Sequence, residues 1–208
     1  MRSTRLFYAL FAAIVLIHAA AASAAGAIDM DNPRRVVGRE NHVRVDALLV
    51  QDTISPGGVV GVTYQVQNLG DAPVALASKV VTATYDDDSR TVTLAVGAEV
   101  PQDGKMPQVV LIAPGETKVF RGGATPILTM AALRTAQAAP RFVQVKVSIL
   151  RDLTAFSQVN SGQTLTDDQF ERWFEANDTI FLNTIPVRFS PRQSNEQSAE
   201  RADASTRF

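Results

Sequence analysis

Residues 55–74 read SPGGVVGVTYQVQNLGDAPV, and their reading decides the fold. Pro56-Gly57 marks a turn, because proline holds φ at about −65° and glycine accepts the positive φ that follows. Val60, Val62, Tyr64 and Val66 then alternate with Gly61, Thr63, Gln65 and Gln67. A period of two puts the apolar set on one face of a β-strand and the small or polar set on the other. Residues 68–73, NLGDAP, read as a turn, and Val74 opens the next apolar run. A strand that is dry on one face needs a second layer to cover it, so a sandwich is predicted.

Upstream, residues 42–50 form a strand with Val43, Val45, Ala47 and Leu49 on one face, and Arg44 and Asp46 on the other. Residues 26–41 are polar and contain Pro33, which reads as a linker. Downstream, residues 74–85 make a third run whose faces are both mostly apolar or small, as suits the middle of a sheet. Residues 85–90 form a polar hairpin tip leading to a strand at 91–96. Asp86, Asp87 and Asp88 invite a calcium reading, but calcium loops space their ligands at alternating positions with a distant Glu. Three contiguous carboxylates beside Arg90 read instead as a solvated turn.

Residues 108–112 form a short strand, and Pro114-Gly115 repeats the turn device of Pro56-Gly57 before another at 117–121. Thr125-Pro126 reads as a helix start, with a short connecting helix over 127–138. Residues 142–150 form the second clean strand, Val143, Val145, Val147 and Ile149 opposing Gln144, Lys146 and Ser148. An insertion follows at 151–177, much longer than the usual hairpin loop of about 2–5 residues. Within it Thr166 and Gln169 form a capping box, with Leu165 and Phe170 as the hydrophobic staple. Phe170, Trp173 and Phe174 fall at i, i+3 and i+4 of the predicted helix 167–176. The expectation is an ordered flap with Phe170 and Phe174 facing the sandwich and Trp173 either buried with them or left at the rim. Residues 179–189 read as the last strand, with Pro186 marking an edge or a bulge, and 190–208 as a disordered tail.

The first 25 residues have the pattern of a secretory leader: Arg2 and Arg5, an apolar run over 6–17, and an A-x-A signal at Ala22-Ser23-Ala24. The run is shorter than the ~20 residues that span a bilayer, so no membrane span is expected after cleavage. The chain has no cysteine, which excludes disulfides, thiol catalysis and cysteine metal sites. A formal charge of −1, made slightly more negative by loss of the leader, offers no electrostatic footprint for nucleic acid.

The Pro-Gly turns and alternating strands resemble a bacterial immunoglobulin-like module of the CARDB adhesion type. The resemblance rests on Pro56-Gly57, residues 60–66, Asn68-Leu69-Gly70, the run LIAPGET at 111–117, and residues 142–149. It covers about residues 42–150, and the helix near 127–138 and the insertion at 151–177 depart from the pattern. It implies a mainly β chain, an immunoglobulin-like antiparallel β-sandwich over 42–189 with one or two short helices in connections. Modules of this type serve as spacers, adhesion units or docking domains and bring no catalytic residues.

Of the two histidines, His18 lies in the leader and His42 has no Gly-x-Ser-x-Gly elbow or zinc-type spacing to accompany it. No enzyme activity and no cofactor are therefore expected. The expected function is an exported, periplasmic or secreted interaction module that docks another envelope or extracellular protein. A structural subunit of a surface fibre or pilus and a carbohydrate-binding module are the alternatives. Candidate partner contacts are Trp173, Phe170, Phe174 and Phe156, with a core role as the competing reading of the aromatic stripe.

Overall fold

In the computed structural model, which describes residues 31–191, two sheets stack about the strand that the 55–74 stretch predicts. The first is antiparallel throughout: β1 (Arg35–Glu40), β2 (Val43–Leu49), β4 (Val60–Asn68) and β9 (Thr117–Ala124), in that order. A short β3 (Thr53–Ile54) lies between β2 and β4 in the chain. The second sheet contains β5 (Val74–Leu76), β6 (Val81–Asp86), β7 (Thr91–Val96), β8 (Val110–Ile112) and β10 (Phe142–Leu150). The chain closes with β11 (Asn177–Phe181), β12 (Ile185–Pro186) and β13 (Arg188–Phe189). The fold is mainly β, with two short α-helices among the described residues, α1 (Met130–Arg134) and α2 (Asp167–Ala176).

Along β4, burial alternates without a break, Val60, Val62, Tyr64 and Val66 inward and Gly61, Thr63, Gln65 and Gln67 outward. Both Pro-Gly turns form as read, with Gly57 and Gly115 at positive φ. Opposite β4, Val92, Leu94 and Val96 of β7 and Val143, Val145, Val147 and Ile149 of β10 complete the main core. Each fully buried Val or Leu removes enough apolar surface to stabilise the fold by about 1.5–3 kcal/mol.

Strand β10 is the centre of the second sheet. Val147 pairs with Val96 on one edge and Ile180 on the other, and Leu150 pairs with Ala75 and Asn177. Strands β7 and β10 run parallel, which an antiparallel sandwich did not anticipate. The long crossover between Val96 and Phe142 makes this pairing feasible. At the sides the sheets approach closely, and glycines make room. A Cβ on Gly122 of β9 would lie 2.9 Å from Val81 Cγ2, and one on Gly38 of β1 would lie 2.9 Å from Ile180 Cγ2.

Several expectations are corrected. The segment expected as a 26–41 linker contains β1, an edge strand whose polar outer positions hide its alternation. Of the apolar side chains of β1 only Val36 packs on the core, and backbone pairing with β2 does much of the rest. The 74–85 run is two strands rather than one at mid-sheet. A turn at Ala77 and Val80, closed by Val80 N–H donating to Ala77 C=O at 2.9 Å, sends β6 to the far edge of β7. The 127–138 helix shrinks to Met130–Arg134, capped by Thr129 rather than Thr125. Thr129 Oγ1 accepts from Ala132 N–H at 3.2 Å and donates to Asp87 at 2.8 Å, which fixes the start there. The 179–189 strand is divided into β11, β12 and β13, with Pro186 on the outer edge of β10 as its missing N–H requires. The leader at 1–25 and the tail from 192 onward lie outside the described residues.

Candidate functional site

The two helices sit at opposite ends of the sandwich. The α1 connection packs by Arg90 and Phe142, where β7 and β10 begin, while α2 packs by Ala98 and Leu150, where they end. Every sequence-predicted contact residue lies at the α2 end.

Helix α2 has the predicted bounds, and its capping box is complete: Thr166 Oγ1 accepts from Gln169 N–H, and Gln169 Oε1 accepts from Thr166 N–H. Trp173 is 1% exposed, and its Nε1–H donates to Ala98 C=O at 3.0 Å. Phe156 is also buried and meets Trp173 edge-on, ring centroids 5.5 Å apart. Both belong to a second small core with Ala75, Ala77, Met106, Leu150 and Leu165. Phe170 is half-buried against this core. Phe174 does not face the sandwich as expected: it is 48% exposed and makes an edge contact with Phe170 alone among aromatic rings of the described residues. The helix is rotated so that Trp173 points inward, because Nε1–H finds a carbonyl there while Phe174 has no polar group to satisfy. Of the four, only Phe174 is open to a partner, and Trp173 and Phe156 are interior.

The acidic turn resolves into separate roles. Asp86 accepts from Ser89 Oγ at 2.5 Å and from the N–H groups of Asp88 and Ser89, closing the hairpin tip. The Ser89 hydroxyl, then the backbone donors, hold its carboxyl below the usual carboxylate range. Asp87 is turned to Thr129. His42 lies in the β1–β2 turn at positive φ, with an exposed side chain and no side-chain hydrogen bond among the described residues.

The most exposed apolar surface lies at the other end, around α1, where sequence reasoning placed no site. Ile127 is 88% exposed and Met130 58%, with Leu133 also exposed. This connection is nevertheless tied down. Arg90 donates through Nε to Ala139 C=O at 2.9 Å and through a terminal nitrogen to Ala136 C=O at 2.7 Å. Tyr85 Oη–H donates to Ala138 C=O, and Asp87 holds Thr129. Beside it opens a groove of about 360 Å³ lined by Arg90, Leu133, Arg134, Arg141, Val187 and Phe189. Among the described residues the side chains of Arg134 and Arg141 have no hydrogen-bond or ion-pair partner. Spacing of three between Ile127, Met130 and Leu133 was visible in the sequence, but an apolar row at that spacing reads as core.

Asp46 is the one charged side chain among the described residues that is buried, on the outer face of the first sheet. Burial alone would raise its pKa. Hydrogen bonds from Arg44 at 2.8 Å and Gln65 at 3.3 Å, with the charges of Arg44 and Arg35, prevail and hold it below the ordinary value.

Among the described residues, no helix is long and apolar enough to cross a membrane. No family model, no curated protein and no solved structure matches the chain.

Proposed function

We propose that this chain is an exported, non-catalytic docking module of the bacterial cell envelope, periplasmic or secreted, that binds another protein through the α1 end. The observation that carries the reading is the contrast at α1. A connection fixed by Tyr85, Asp87 and Arg90 still leaves Ile127 and Met130 in water. Ordering apolar side chains in solvent gains nothing for folding, and pre-ordering a loop lowers the cost of binding. Arg134 and Arg141 supply a charged rim with no internal partners, as suits the edge of an interface. The leader pattern at residues 1–25 supports export.

A fibre subunit that borrows a strand would leave a core strand edge unfilled. Here β10, at the centre of the second sheet, has strand neighbours on both sides, β7 and β5 on one and β11 and β12 on the other, which favours the docking reading. The experiment is affinity capture from the native envelope with the full chain and with an Ile127→Asp/Met130→Asp variant. A partner held by the first and released by the second, at equal melting temperature, supports docking at α1. Identical retention by both overturns it.

A further inference from the structure

The outer face of the second sheet carries a second recess, unrelated to α1. Register aligns its floor in two rows. Thr84, Thr93 and Gln144 lie side by side across β6, β7 and β10. Thr82, Ala95, Lys146 and Phe181 form the next row, extending onto β11. Small side chains in the middle and long ones at the ends make a trough of about 470 Å³, overhung by Glu99 and Val100. That volume is within the roughly 300–1,000 Å³ typical of small-molecule sites.

The chemistry of this trough is that of a neutral polyol. Among the described residues the hydroxyls of Thr82, Thr84 and Thr93 have no side-chain hydrogen-bond partner, and each can both donate and accept. Lys146 Nζ lies 2.5 Å from Glu99 Oε2, so the two charges cancel and neither an anion nor a cation is favoured. Phe181 is 59% exposed at one end, with Lys146 Nζ 6.0 Å from its ring centroid. A phenyl face beside hydroxyls and an ion pair matches a sugar ring, which offers a C–H face and a rim of hydroxyls. A peptide strand suits the floor of the trough less, because strand addition uses a sheet edge. The floor lies across β6, β7 and β10, which are paired with one another, and among the described residues only the outer edge of β6 is open.

We infer that this trough binds a neutral oligosaccharide, with Phe181 as the stacking platform and Thr93, the Gln144 side-chain oxygen (its Nε2 donates to Leu182 C=O at 3.2 Å) and the Lys146–Glu99 pair as hydrogen-bonding groups. The inference is independent of docking at α1. The test is a nuclear magnetic resonance titration of the full chain with cellotetraose, maltotetraose and tetra-N-acetylchitotetraose, and with a Ser/Thr-rich peptide as comparison. The expected result is that at least one sugar shifts Phe181 and Gln144 resonances. Phe181→Ala should then weaken binding by about three- to tenfold, as loss of one aromatic contact implies. Thr93→Val, which keeps shape and removes the hydroxyl, should weaken it as well. No shift with any sugar, shifts centred elsewhere, a response to the peptide alone, or unchanged affinity in Phe181→Ala would overturn the inference.

Discussion

The indole nitrogen of Trp173 donates a hydrogen bond to the carbonyl of Ala98 at 3.0 Å, tying the flap helix to the loop that leaves β7. Asn177 Nδ2 donates to the same carbonyl at 2.7 Å, so two side chains one helical turn apart at the end of α2 converge on one acceptor. The N–H groups of Gly162 and Leu165 in the flap also donate to the carbonyls of Met106 and Gly104, and Met106 N–H donates to Gln163 C=O. The insertion is thus a second, smaller core closing one end of the sandwich.

Trp173→Ala removes the largest side chain of that core and should destabilise the protein by about 3–5 kcal/mol. Trp173 is the chain's single tryptophan, so its fluorescence reports this site without ambiguity. Emission at the wavelength of buried indole, poorly quenched by acrylamide, is expected. Phe174→Ala, on the exposed side of the same helix, should cost under about 1 kcal/mol.

Val62→Asp should unfold the domain, because Val62 is fully buried between the sheets and the new carboxylate has no partner there. Thr63→Asp should be far milder, since Thr63 points outward and lies across from Arg121. Equal melting temperatures for the two variants would contradict the register.

This alternation was legible because β4 is dry on one face and wet on the other, and the capping box was legible because Thr166 and Gln169 act within one turn. What was not legible depends on partners distant in sequence. The polar pattern of β1 is stabilised by pairing with β2, and no local signal marks that. Phe170, Trp173 and Phe174 share a stripe, and only Ala98 and Phe156 select Trp173 as its inward member. The exposure of Ile127 and Met130 was not legible, because an apolar residue carries no mark of being left in water.

The folded-state pKa of Asp46 is depressed, so its contribution to stability is fully present above the unfolded value of about 3.9 and is lost as pH falls through the folded one. Acid unfolding followed from pH 6 to pH 2 should therefore show an Asp46-dependent loss below about pH 4. Asp46→Asn should lower stability at neutral pH by about 1–3 kcal/mol and flatten that acid limb.

Gly122→Ala should destabilise by about 1–3 kcal/mol, because the added methyl meets Val81 Cγ2 where the two sheets close. Adding Val81→Ala should recover part of the loss. Independent, additive effects in a double-mutant thermal melt would show that β6 and β9 do not meet as described.

Docking at α1 is tested most directly by photo-crosslinking in the native host, with a crosslinking amino acid placed in turn at Met130 and at the exposed control positions Val59 and Leu111. The account predicts one discrete crosslinked protein from Met130 and none from the controls. It also predicts that the product disappears when Arg134 and Arg141 are both changed to Glu. No product from Met130, or the same products from all three positions, would contradict it.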